Sequence, residues 1–183
     1  MILDSNCASN GSLVTGSTSW AFCSDERLSL LGNPDVILFY GGTNDIVCKI
    51  PIGEFNYDGD YSERGTYFKQ AYAYCLYKMK TLYPKAKIVC VLIPDYSGNN
   101  NKGSESTYPL QNLDNHPTRE YNTAIRELAN SFNCAICNIG PSIPYFNRQD
   151  YYILDGDGSL CHPKKHGMQI IYKMIRSILV NMF

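Results

Sequence analysis

Apolar residues come in short blocks along this chain, and the blocks follow two different periods. Val36-Ile37-Leu38-Phe39-Tyr40 is an unbroken β-branched and aromatic run, set between Pro34 and Gly41-Gly42. No polar residue alternates with the apolar ones, so residues 35–40 read as a strand covered on both faces, in the middle of a parallel sheet. Lys87–Ile93 is a second such run, and Cys134–Ile139 a third, closed by Gly140-Pro141. Between them the spacing changes to three and four. Phe68, Ala71, Tyr72, Cys75, Leu76, Met79 and Leu82 form a helical stripe over residues 66–82, which Pro84 stops. Tyr121, Ile125, Leu128 and Phe132 mark another helix. Ile171, Ile175, Ile178 and Leu179 mark a last one over residues 163–182.

The remaining stretches are shorter or polar. Ser24 is a candidate N-cap, followed by Asp25 and Glu26 in a first turn and by Gly32 as a stop. Met1-Ile2-Leu3 is a short apolar opening with strand character. Residues 5–19 read as a loop rich in Ser, Asn, Gly and Thr, residues 41–64 as irregular, and residues 94–117 as a long polar loop. Strand and helix alternate, which predicts an α/β fold with a parallel sheet and right-handed crossovers. No internal repeat or linker divides the 183 residues, and one layered domain is expected.

Composition narrows the function. Hydrophobic residues make up 44% and charged residues 18%, so the chain has enough apolar material for a core. A formal net charge of −1 and the lack of any basic run argue against a nucleic-acid or anionic-membrane surface. No apolar run approaches the roughly 20 residues of a membrane span, and Met1 is not followed by the basic-then-apolar pattern of a signal peptide. Of the eight cysteines, Cys75 and Cys90 fall at expected core positions. Cys134 and Cys137 have CxxC spacing, but no second pair accompanies them, so neither a metal site nor any other cofactor is implied.

Candidate chemistry gathers at two places. Gly41 and Gly42 turn the chain sharply after the first long strand, and Thr43, Asn44 and Asp45 follow. In open α/β sheets the carboxyl ends of the strands are where ligands bind, which makes an amide and a carboxylate there site candidates, Asp45 also serving as a turn-former. The second place is His162-Pro163, which opens the last helix. A histidine at that position can exchange protons near neutral pH. His116 also precedes a proline, and His166 falls on the first helical turn. Asp150, Asp155 and Asp157 precede His162, and any of them could orient its imidazole or merely form turns. A nucleotide-binding reading fails for want of a Gly-rich phosphate loop opening a helix.

Gly42-Thr43-Asn44-Asp45 after a buried strand, together with His162-Pro163 at the start of the C-terminal helix, resembles the SGNH (GDSL-type) hydrolase superfamily. The resemblance implies a three-layer, flavodoxin-like parallel sheet flanked by helices. In that family a G-x-N-D motif supplies an oxyanion-hole asparagine, here Asn44, and a D-x-x-H-P motif supplies the catalytic base, here His162. Asn10-Gly11-Ser12 resembles the block whose glycine amide is another oxyanion donor, here Gly11.

Two departures stand out. The family's G-D-S nucleophile block, with its strand and helix, has no counterpart. Asp4-Ser5 lies only six residues before Gly11, too close for a helix and a strand. Met1–Asp4 therefore aligns with the family's second strand. The expectation is a single SGNH-like domain over residues 1–183, N-terminally incomplete, with the first strand and the nucleophile missing. Ser159 also stands where an aspartate is expected three residues before His162. Asp157 is the favoured partner, displaced by two positions, and a Ser–His dyad is the alternative.

The resemblance implies an ester hydrolase cleaving small, acetyl-like acyl esters by Ser–His acyl transfer. A carbohydrate alcohol is suggested by loop tyrosines such as Tyr96, Tyr108 and Tyr145. The expected partner is thus a small-molecule ester, an acylated carbohydrate, with no nucleic acid and no cofactor. Loss of a strand beside residues 36–40 would bare an edge, so the expectation is either that Met1–Asp4 moves in beside 36–40 or that the edge pairs with another chain in self-association. The alternative is a non-catalytic module that binds carbohydrate or another polar ligand on the same scaffold.

Overall fold

The computed structural model describes residues 5–56, 59–94, 118–140, 148–153 and 162–182. Three parallel strands form the sheet in the order β1 (Val36–Phe39), β2 (Lys87–Val91), β3 (Ala135–Cys137), with Ile37 beside Ile88 and Cys90 beside Ile136. Two helices cover one face, α3 (Phe68–Leu82) and α4 (Thr118–Ser131). The long C-terminal helix α6 (Lys165–Val180) covers the other. Short helices α1 (Asp25–Leu28), α2 (Thr43–Val47) and α5 (Arg148–Tyr151) lie at the connections.

The side-chain period explains the layering. Successive residues of a strand point to opposite faces. Ile88 and Cys90 accordingly join the core under α3 and α4, while Val89 and Val91 join the core under α6. Both sets are buried, which is why β2 reads as a run without alternation. Cys134 and Cys137 fall on opposite faces for the same reason, Cys134 against the α3–α4 core and Cys137 in the α6 core. Among the described residues no three possible metal ligands cluster.

The three expected helical stripes become α3, α4 and α6, and Ser24 caps α1, its Oγ accepting from Arg27 N at 3.4 Å. One expectation fails. β1 is not covered on both faces. It pairs with β2 on one side only among the described residues, and Leu38 is 44% and Tyr40 42% exposed. Ile37 and Phe39 are buried under α3, but α6 lies over β2 and β3 and reaches only Val36 on β1. A run of apolar residues shows that a strand can be covered, not that anything covers it.

Candidate active site

Position 42 explains the double glycine. Gly42 caps α2 with φ +115°, and a Cβ there would sit 2.8 Å from Ile93 Cδ1 and 3.1 Å from the Phe68 ring. Only glycine satisfies both the left-handed backbone and the close approach. The chain thus turns within two residues from the end of β1 into α2, and Asn44 and Asp45 come to rest at the carboxyl edge of the sheet.

Both side chains then reach back to the loop before α1. Asn44 Nδ2 donates to Ser12 O at 2.9 Å. Asp45 is fully buried: its Oδ2 accepts from Val14 N at 2.7 Å, and its Oδ1 accepts from Thr15 N at 3.1 Å and Thr15 Oγ1 at 2.9 Å. Burial pushes this carboxyl above the usual aspartate value, against the opposing pull of those donors. Asp45 is therefore a clamp holding a distant loop, not just a turn-former.

The loop is gripped from its other side by Arg27, a buried guanidinium on α1. Its Nε and Nη2 donate to Cys7 O at 3.0 and 2.7 Å, its Nη1 donates to Ser12 Oγ at 2.8 Å and to Trp20 O, and its plane lies 4.0 Å over the Phe22 ring. Gly11 sits in this loop, exposed, at φ +73°. Gly16 follows the two amides that Asp45 holds, at φ +114°. Ser5 Oγ donates to Leu30 O at 3.2 Å, so Ser5 stands beside the end of α1 and not at Asn44.

His162 belongs to the strand-like approach to α6. Its carbonyl accepts from Ile153 N at 2.7 Å, Pro163 bridges Tyr152, and Lys164 N donates to Tyr151 O at 2.7 Å. Gly167 permits this packing, because a Cβ there would meet Tyr151 O at 2.5 Å. At the far end of α6, Lys87 Nζ donates to Met182 O, which ties the helix C-terminus to the amino end of β2. Sixteen residues of helix span about 24 Å, so the start of α6 lies toward the carboxyl ends of the strands. His162, exposed, therefore shares that edge with Asn44. His166 lies in the first turn of α6 with its ring 4.8 Å from that of Tyr151, and Asp150 lies in α5. Asp155, Asp157, Ser159 and His116 lie outside the described residues, as do Met1–Asp4 and the tyrosines 96, 108 and 145.

Three participants were missed in the sequence: Arg27, the Val14–Thr15 amides, and Asn122 of α4. Asn122 pins the end of the β2 segment, its Oδ1 accepting from Ile93 N at 2.8 Å and its Nδ2 donating to Ile93 O at 2.7 Å. Val14-Thr15-Gly16-Ser17-Thr18, a second glycine among hydroxyls, was the one available signal for the clamped loop.

A loop clamped by an Asn-Asp pair beyond a parallel strand is thus the candidate site. The chain belongs to the GDSL-like lipase/acylhydrolase family, whose profile it matches over residues 5–116. Solved structures carry the same fold. A protein of Bacteroides ovatus described as a GDSL-like lipase is 24% identical with a TM-score of 0.62, over 93% of this chain and 68% of its own. A Lactobacillus plantarum protein is 18% identical with a TM-score of 0.74, over 94% and 78%. A family 3 carbohydrate esterase of Talaromyces cellulolyticus is 20% identical with a TM-score of 0.52, over 86% and 64%. Among curated proteins the sequence finds no match.

Proposed function

We propose that this chain carries the oxyanion and base side of a site that hydrolyses small, acetyl-like esters of carbohydrates by Ser–His acyl transfer. The observation that carries the reading is the joint grip of Asn44 and Asp45 on residues 12–15. It fixes an amide side chain and backbone N–H groups at one sheet edge before any substrate arrives. Attack on an ester carbonyl moves charge onto oxygen, and donors fixed in advance stabilise that charge without reorganising. Asn44 Nδ2 and the Gly11 amide are the proposed donors. Gly16 is a second candidate for the backbone role, because it directly follows the clamped amides of Val14 and Thr15.

His162 takes the proton of the attacking serine and returns it to the leaving alcohol, with Asp157 orienting the imidazole. The serine is proposed to come from a segment ahead of Met1 in a longer chain. Ser5 and Ser12 are committed elsewhere, to Leu30 O and to the Arg27 guanidinium. The same commitments favour the second reading, a non-catalytic polar-ligand module, for the 183 residues by themselves. The carbohydrate alcohol draws support from the similarity to a carbohydrate esterase.

The test is hydrolysis of an aryl acetate by this chain and by one extended upstream to include a G-D-S segment. In the active form, His162→Ala and Asn44→Ala are each expected to lower turnover by about 100-fold or more. Nearly full activity in the His162 variant would remove it from the mechanism. An inactive extended chain would leave the binding-module reading.

A further inference from the structure

The chain has one tryptophan, and Trp20 is 69% exposed. Large side chains left in solvent singly are common, but this one lines a cleft of about 430 Å³, within the size range of ligand sites. Asn6, Ser9, Ser19, Glu26 and Arg27 bring polar groups to it, and Cys7, Ala8 and Leu30 apolar ones.

The chemistry of the lining selects a ligand. Arg27 spends its donors on Cys7 O, Ser12 Oγ and Trp20 O, so it offers little to a phosphate or carboxylate. Glu26 in the lining disfavours anions further. Ser, Asn and Glu side chains interleaved with Ala8 and Leu30 give a mixed lining, which does not suit a long acyl chain. What fits is a neutral ring with an apolar face and equatorial hydroxyls. Trp20 offers a broad apolar body for such a face. Asn6 is held by its Oδ1, which accepts from Ala8 N at 3.1 Å, leaving its NH₂ to donate.

The cleft also adjoins the site. Ser9 stands two residues before Gly11, no more than about 7 Å along the chain, and Arg27 Nη1 bonds Ser12 Oγ on one side and Trp20 O on the other. We propose that this cleft is a pyranose-binding subsite in which Trp20 stacks on the sugar and presents its ester to the loop of Gly11 and Ser12. Its link to catalysis rests on the ester-hydrolase reading; its sugar binding does not.

Trp20 reports its own occupancy, because all tryptophan emission comes from it. The 183-residue chain is titrated with acetylated xylo-oligosaccharides and with N-acetyl-chito-oligosaccharides, followed by emission and by calorimetry. A saturable emission change is expected for at least one of these sugars. By calorimetry, Trp20→Ala should weaken binding about tenfold or more, with Trp20→Phe keeping part of the affinity. No emission change with any sugar, unchanged affinity in Trp20→Ala, or saturation by inorganic phosphate or octanoate in place of sugars would overturn the subsite. If sugars bind through Trp20 while the extended chain cleaves no ester, the subsite stands and the hydrolase reading falls. If the extended chain cleaves aryl acetate while sugars leave Trp20 unaffected, the reverse holds.

Discussion

Asp45 tests most directly whether the loop is held as described. It accepts three hydrogen bonds in a fully buried position, two of them from the backbone N–H groups of Val14 and Thr15. Asp45→Ala removes every acceptor and leaves both backbone donors without a partner. A buried donor left unsatisfied costs about 1–3 kcal/mol, so the expected loss is about 2–6 kcal/mol in urea unfolding. Asp45→Asn keeps one acceptor oxygen. In either amide orientation its NH₂ faces one of the two backbone N–H groups, so one orphan remains and the loss is at most about 1–3 kcal/mol. Losing the charge offsets part of this, because burial already raises the Asp45 pKa.

The pH dependence carries a sign. A carboxyl whose pKa is higher in the folded than in the unfolded chain binds more protons when folded. Its contribution to stability is complete below the unfolded value and is lost as pH rises through the folded one. Wild-type stability should therefore fall with rising pH across that window relative to Asp45→Asn, which lacks the group. An alanine variant within about 0.5 kcal/mol of wild type would refute the clamp; a wild-type slope of opposite sign would mean that the donors outweigh burial at this carboxyl.

Arg27→Lys keeps the charge but loses the paired bonds to Cys7 O and the contact over Phe22, and urea unfolding should show a loss of about 2–4 kcal/mol. Turnover of the extended chain should fall with it as the Gly11–Ser12 loop loosens. Gly42→Ala places a methyl 2.8 Å from Ile93 Cδ1 at positive φ; we expect about 1–3 kcal/mol of destabilisation by thermal or urea unfolding. Self-association through the open side of β1 is part of the proposed behaviour. Leu38→Lys, which puts a charge on the bare face of the strand beside that edge, should shift sedimentation velocity toward monomer, and an unchanged distribution would count against a contact there.

The elements were legible where the period was long. α3, α4 and α6 each carry two or more turns of apolar spacing, and the three strands are bounded by Pro or Gly. α2 and α5 span five and four residues and have no period to read. β1 was expected to be covered on both faces because a strand with a bare apolar face has the same sequence as a covered one. Within the site, Asn44 and His162 stood out by residue type next to a turn or a proline. Their partners did not. The bonds from Asp45 to Val14 and Thr15 close 31 and 30 residues, and nothing local in either segment announces them. Asn122 looks like one more polar residue on an amphipathic helix until both ends of its amide are seen on Ile93.

The two halves of the candidate site are held by different means, and this separates their mutational signatures. On one side, the loop 12–16 is fixed by buried groups: Asp45 at zero exposure and Arg27 at 8%, each satisfying several backbone atoms. Substitutions there remove acceptors or donors from the interior, so stability and geometry are lost together. On the other side, His162 projects from a segment held by main-chain bonds from Ile153 and Lys164. Those bonds do not involve the imidazole, and the side chain is exposed. Truncating it is expected to lower turnover while leaving those main-chain bonds in place. In the proposed mechanism the charge-stabilising side is built into the core, with its donors fixed in advance, and the proton carrier His162 stands at the surface. That division suits a reaction in which the developing charge needs a rigid partner and the proton must travel between two oxygens.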